Sequence, residues 1–221
     1  MIAEPNIVVF GGSFDPPHLG HQKLVQTVLE RFNNARVLVV PAYQPVIDKT
    51  KEKVTSSGFE HRLAMTKLAF SEKGFAGKVA VSTIEESLAR PSYSYRTLNA
   101  LREVVPSQRF AFLIGDDQLK KLASWYEIKN LCSNFDFIVV RRDLKDLEKT
   151  LEEQAKLIGL DCIIQGSSWT WKNTEHGGLF IDEAVSEAKS SKIRAEIDAK
   201  ASQAELSPLV STYVNENKLY H

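Results

Sequence analysis

The chain has 221 residues, 43% of them hydrophobic and 25% charged, with 28 basic side chains balanced by 28 acidic ones. This length can bury a substantial core in one large domain, or in one domain with a small appendage, and the composition is that of an ordinary soluble globular protein. A formal net charge of zero gives no electrostatic reason to expect a nucleic-acid or membrane partner.

The opening MIAEPNIVVF has no basic leader, and its apolar run is too short for a signal peptide or a spanning helix. Strands are expected at 6–10, 36–41, 78–84, 109–115, 135–140 and 161–165, short β-branched runs that are mostly apolar throughout. That pattern suits strands covered on both faces. Apolar residues at three- and four-residue spacing predict helices over 18–32, 60–72, 95–105 and 144–158, the first with a stripe of Leu19, Leu24, Val25, Val28, Leu29 and Phe32. The alternation predicts an α/β fold: a Rossmann-like, doubly wound parallel sheet. Residues 166–183 read as a polar loop carrying Trp169 and Trp171. In an extended loop these point to one side, over a hydrophobic patch or an oligomer contact. Two short helices close the chain at 190–200 and 207–220, the second with Ser207 as cap and Pro208 in its first position. The expected organisation is a single domain, with a Rossmann-like core over 1–165 and a helical C-terminal subdomain over 184–221. Cys132 and Cys162 lack metal-ligand spacing and read as buried structural thiols in a reducing cytoplasm.

The junction VVFGGSFDPPHLGHQKL (8–24) asks for a chemical explanation. Gly11 and Gly12 end the first strand and let a ligand approach the backbone closely. Asp15 is placed to cap the following helix, with a proline just inside it. The helix N-terminus then points out of the carboxyl end of a parallel sheet, where such folds bind phosphates. His18 and His21, three apart, share one face of the first turn. Zinc would need further ligands that the segment does not offer.

GSFDPPHLGH resembles the G-x-F-D-P-x-H-x-G-H signature of the nucleotidyltransferase superfamily at every defined position from Gly12 to His21. EHRLAMTKLA (60–69), RPSYSYRTLNALR (90–102), FLIGDDQLKKLASWYEIKNL (112–131), FIVVRR (137–142) and the closing LSPLVSTYVNENKLY resemble blocks of the nicotinate mononucleotide adenylyltransferase family. The resemblance implies transfer of AMP from ATP to nicotinate mononucleotide, giving deamido-NAD and pyrophosphate with Mg²⁺. It implies ATP contacts at Gly11, Gly12, Ser13, Phe14, His18, His21, Gly115, Asp117 and Arg142. Ser190, Ser191 and Arg194 of AKSSKIR match most of a triphosphate-binding I-S-S-T-x-I-R motif, with Ala188 and Lys189 departing from it. His18, His21 and Arg194 are the implied catalytic residues. Ser92, Tyr93, Ser94, Trp125 and Tyr126 are the implied acceptor contacts, with Ser94 standing where the family has threonine.

Physical reasoning runs beside the resemblance. Asp117, at the end of a strand, can accept hydrogen bonds from a ribose or a base amine, while Asp116 reads as a helix cap or a solvated charge. An indole face at Trp125 suits a flat cationic pyridinium ring. After the second strand the family's P-A-x-x-P-x-H-K becomes PAYQPVIDKTK, one residue longer and altered around Tyr43. Lys49 aligns with the ATP-facing lysine, and Lys51 and Lys53 compete for the role. His61 reads as structural, and His176 and His221 receive no role. The acceptor's phosphate is already anionic, so no general base is required, and Mg²⁺ travels on the triphosphate rather than in an all-protein site. The expected partners are small molecules, with an open choice of homo-oligomer. The rival readings are another transferase such as phosphopantetheine adenylyltransferase, and a nucleotide sensor without turnover.

Overall fold

The computed structural model describes residues 4–48, 51–52, 55–141, 146–182, 188–199 and 203–220, with backbone alone at 47–48 and 51–52. In chain order the elements are β1 (Ile7–Gly12), α1 (Leu19–Arg31), β2 (Arg36–Pro41), a hairpin of β3 (Val46–Asp48) and β4 (Lys51–Glu52), α2 (Phe59–Ala69) and β5 (Val79–Val81). There follow α3 (Ser94–Val104), β6 (Phe110–Gly115), α4 (Asp116–Leu119), α5 (Ile128–Asn134), β7 (Asp136–Arg141) and α6 (Leu147–Ile158). The last are β8 (Cys162–Gln165), β9 (Ser168–Trp171), β10 (Gly177–Asp182), α7 (Ser190–Asp198) and α8 (Pro208–Glu216).

The main sheet has the order β5-β2-β1-β6-β7-β10-β9-β8. Every pairing from β5 to β10 is parallel. Only the β10–β9 and β9–β8 pairings are antiparallel. The expected doubly wound α/β sheet is therefore present. Chain order reverses direction between β1 and β6, and that switch point opens a crevice beyond the carboxyl ends of the strands.

Strand side chains alternate between two cores, as a period of two requires. Val8, Phe10, Val37, Val39, Ala111 and Leu113 face the core shared with α1, α2, α7 and α8. Val9, Phe110, Phe112, Ile114 and Phe137 face the core shared with α3, α5 and α6. In α1 the predicted stripe is buried from Leu24 to Phe32, but Leu19 is exposed at the helix start. Ile193 and Ile197 of α7, with Val210 and Val214 of α8, join the first core directly.

Two expectations are corrected here. The stretch expected as a loop over 166–183 is not one in its described part, 166–182, which forms β9 and β10 around a turn with Asn173 at a φ of 63°. β10 takes the central place beside β7, and the predicted strand at 161–165 becomes the antiparallel edge strand β8 with its side chains alternately half-buried and exposed. Trp169 and Trp171 are each 1% exposed and fill the second core with Phe180. They cover a hydrophobic patch within the fold. Space for Trp169 comes from Gly178, where a Cβ would lie 2.2 Å from the indole ring. The second correction concerns the thiols: Cys132 is fully buried and burial raises its pKa well above the ordinary value, whereas Cys162 on the edge strand is only half-buried.

Candidate active site

Gly11 and Gly12 remain inside β1, paired in register with Val40 and Pro41, rather than forming a turn. Their lack of side chains still matters. A Cβ on Gly12 would press the Phe14 ring at 3.0 Å, and one on Gly11 would reach Phe112 at 3.3 Å. Phe14, at a φ of 48°, tucks its ring between Phe10 and His21. The chain then passes through Asp15, Pro16 and Pro17 before α1 begins.

Asp15 does not cap α1, and neither proline lies inside it, because His18 is the N-cap residue. The His18 N–H donates to Nδ1 of His21 at 3.2 Å, and the two rings stack with centroids 3.7 Å apart. That bond fixes the tautomer of a neutral His21: Nδ1 accepts, so the proton sits on Nε2. His21 lines the cleft at the switch point, whereas His18, 3% exposed, lies beneath it and outside the cleft wall.

The cleft has a volume of about 430 Å³. Its wall includes Gly11, Gly12, Ser13 and His21 from the first junction, and Gly115 and Asp117 from the end of β6 and the start of α4. Asp117 is exposed and accepts from the Gln118 side chain at 2.8 Å, while Asp116 is 2% exposed and so is not a solvated charge. Ser92, Tyr93, Ser94, Trp125 and Tyr126 line the other part of the same cavity. Tyr93 and Tyr126 stack at 4.4 Å with rings only 16° from parallel, and Trp125 meets the edge of Phe112 at 5.7 Å. The hydroxyl of Ser92 accepts from the Gln44 N–H at 2.9 Å, which joins the loop after β2 to this wall.

The AKSSKIR segment sits beside the junction rather than in the cleft wall. Ser190 Oγ donates to the Pro16 carbonyl at 3.0 Å, and Arg194 donates to the Asp15 carbonyl at 2.7 Å. Ser191 is exposed. Lys49, Lys53 and Arg142 lie outside the described residues, and of Lys51 only the backbone is described. His61 ties α2 to α8 through a 3.0 Å hydrogen bond with the Tyr213 hydroxyl, as a structural residue should.

Two polar residues at the site escaped the sequence reading. Glu85, 7% exposed, lines the cleft and accepts from the Tyr43 N–H at 2.9 Å and the Thr97 hydroxyl at 2.7 Å. Arg62, 1% exposed, donates to the carbonyls of Ser13, Ala42 and Tyr43, so one guanidinium holds the loops after β1 and β2 together. Burial lowers its pKa, with the charges of Asp15 and Glu85 opposing that shift. A signal for Arg62 did exist: it shares the core-facing spacing of Met65, Thr66 and Ala69 on α2.

A glycine-ended strand leading into a helix at the switch point of a parallel sheet defines the class, an α/β fold of the nucleotide-binding type. Residues 9–196 match the cytidylyltransferase-like family. The chain is 31% identical over 218 residues to a protein of Pseudoalteromonas atlantica named probable nicotinate-nucleotide adenylyltransferase, covering 98% of this chain and 95% of that one. A protein of the same name from Bacillus licheniformis is 30% identical over 215 residues, 97% of each chain. The chain belongs to the cytidylyltransferase-like family and, within it, to the nicotinate-nucleotide adenylyltransferases. Its fold is similar to that of Plasmodium falciparum nicotinic acid mononucleotide adenylyltransferase complexed with NaAD, with a TM-score of 0.73 and 20% identity over 98% of this chain and 97% of that one.

Proposed function

We propose that the chain transfers the AMP unit of ATP to nicotinate mononucleotide, releasing pyrophosphate and forming deamido-NAD. One observation carries this reading: the glycine and histidine end and the tyrosine and tryptophan end are walls of a single continuous cavity. Such a cavity suits two substrates that must meet end to end. The names of the relatives and of the structural neighbour agree with that choice of substrates.

The acceptor's phosphate oxygen forms a bond to the α-phosphorus of ATP while the bond from that phosphorus to the pyrophosphate oxygen breaks. The attacking oxygen is already anionic, so the site needs no base. Its work is in-line positioning and stabilisation of charge. His21 Nε2–H is the donor for the α-phosphate oxygens, and His18 fixes the ring that carries it. Gly11 and Gly12 leave room for the triphosphate, with Gly115 and Asp117 at the adenosine side. Ser190, Ser191 and Arg194 serve the phosphates from the α7 side. In the present geometry one guanidinium nitrogen of Arg194 is engaged by the Asp15 carbonyl, which leaves the other N–H groups of the fork to meet a phosphate. Tyr93, Trp125 and Tyr126 hold the pyridine ring, with Ser92 and Ser94 offering hydroxyls.

Among the described residues no group of three metal-ligating side chains occurs, and the cleft presents Asp117 and Glu85 as separate carboxylates. This donor set fits Mg²⁺ that arrives on the triphosphate. Bound there, the ion neutralises charge on the departing pyrophosphate. No described helix is long and apolar enough to cross a membrane, and the two free cysteines suit a reducing cytoplasm. The test is pyrophosphate release with ATP and Mg²⁺ in separate reactions containing nicotinate mononucleotide, nicotinamide mononucleotide, phosphopantetheine or no acceptor. The highest kcat/KM is expected with nicotinate mononucleotide. Equal values for the two pyridine nucleotides would remove the acid preference, and release without acceptor would favour a different activity.

A further inference from the structure

The loop between β1 and α1 carries Ser13, Phe14 and His18, leads directly to His21 on the first turn of α1, and has the Asp15 carboxylate at its middle. That carboxylate is 2% exposed, so burial obliges it to find donors within the protein. It finds them far away in sequence. The Ser56 N–H donates at 2.7 Å, the Ser57 N–H at 3.2 Å and the Ser57 hydroxyl at 2.7 Å, all from the segment entering α2. The fourth donor comes from the other end of the chain, where the Tyr220 hydroxyl lies 2.8 Å from Oδ1.

The tail is built to deliver that hydroxyl. After α8 ends, the Leu219 N–H bonds back to the Val214 carbonyl at 3.0 Å. Lys218 and Tyr220 both take positive φ, 49° and 67°, a conformation that side-chain-bearing residues adopt only when something holds them. The ring of Tyr220 packs against the first core, and its hydroxyl also lies 3.1 Å from Ser57 Oγ. Burial raises the Tyr220 pKa, so the phenol keeps its proton and remains a donor throughout the neutral range.

We propose that Tyr220 is a positioning residue for the nucleotide end of the cleft, locking the histidine-bearing loop through Asp15. This rests on the assignment of ATP to that end. The lock closes a circuit: the tail holds the Asp15 carboxylate, α7 holds the Asp15 carbonyl through Arg194, and the entry to α2 holds the same carboxylate from beneath. A loop fixed before the nucleotide arrives spares the cost of ordering it on binding. Among the described residues, the hydrogen bonds of the Tyr220 hydroxyl go to Asp15 and Ser57 and none to the acceptor wall around the start of α3 and the segment before α5, which should not respond.

Tyr220→Phe tests this in the full chain, since the ring and its packing survive and one hydroxyl is lost. Hydrogen–deuterium exchange without ligand should quicken at residues 13–18 and 56–57. Calorimetric titration with a non-cleavable ATP analogue and Mg²⁺ should show affinity weakened about tenfold, the scale of one hydrogen bond to a charged group. Affinity for nicotinate mononucleotide should stay within about twofold. Removing both Tyr220 and His221 should enlarge the same ATP-specific loss. Unchanged exchange at 13–18 would overturn the proposal without reference to any ligand, as would analogue affinity within twofold of the unmodified chain or equal weakening for both substrates. Failure of the unmodified chain to bind the analogue would instead refute the assignment of ATP, while the exchange measurement would still decide whether Tyr220 locks the loop.

Discussion

His21 stands at the start of α1 with Nδ1 committed to the His18 N–H, which leaves Nε2 to carry the donor proton. A donor fixed before reaction is worth most where charge develops. His21→Ala should therefore lower kcat about 10²- to 10³-fold, with ATP affinity changed by no more than a few-fold. It also removes the acceptor for the His18 N–H, so unfolding should show a loss of about 1 kcal/mol. A folded variant with near-normal kcat would move the chemistry elsewhere. Trp125 makes the complementary case at the other wall. Trp125→Ala removes one aromatic face and should raise acceptor KM about 5- to 30-fold, corresponding to about 1–2 kcal/mol. ATP KM should be nearly unchanged, and an equal rise in both would make Trp125 a core residue. These residues were legible because each carries its chemistry in its local pattern. Glu85 and Arg62 were not, because their partners lie on distant segments: the loop residue Tyr43 and Thr97 of α3 for the one, and Ser13, Ala42 and Tyr43 for the other. Nothing local marks a carboxylate that will meet a backbone N–H 42 residues away.

At the scale of elements, the apolar runs located six strands; the inner ones such as β6 and β7 are buried on both faces and leave a continuous apolar signature, while the edge strands β5 and β8 are only partly buried. β9 and β10 escaped for the opposite reason. In β9 the two tryptophans alternate with Ser168 and Thr170, and β10 opens with two glycines after a polar turn. The glycines are not there for flexibility. At Gly177 a Cβ would lie 2.0 Å from the Trp169 carbonyl, and at Gly178 it would enter the Trp169 ring. Gly178→Ala should thus destabilise the fold by about 3 kcal/mol, lowering Tm by roughly 6–12 °C. On a Trp169→Leu background the same substitution should cost less, because the ring it strikes is gone and only the contact with the Phe137 carbonyl, 2.7 Å from the same Cβ, remains. Thermal denaturation of the four proteins checks this, and an additive result would show that Trp169 is not the obstacle. The start of α1 was placed within one residue, but its cap was misread. Asp15 has the residue type of a helix cap, yet a buried carboxylate that can collect several donors from α2 and the tail does better there than at an exposed helix start.

For the whole molecule, the sheet order explains where the cleft lies. β1 and β6 part at the switch point, β1 and the start of α1 present the glycine and histidine side, and the segments after β6 and before α3 present the aromatic side. The α7 and α8 helices share the first core rather than forming a separate one, so the nucleotide end is braced from behind by the C-terminal part of the chain. The central claim is that this one cavity joins the adenylyl group of ATP to a pyridine mononucleotide. Its most direct test follows the fate of ATP radiolabelled at the α-phosphate, incubated with the protein, Mg²⁺ and nicotinate mononucleotide. The account predicts that the label enters a dinucleotide, mole for mole with unlabelled pyrophosphate and only when the acceptor is present. Label recovered in free AMP or ADP, or pyrophosphate released without any labelled dinucleotide, would contradict it.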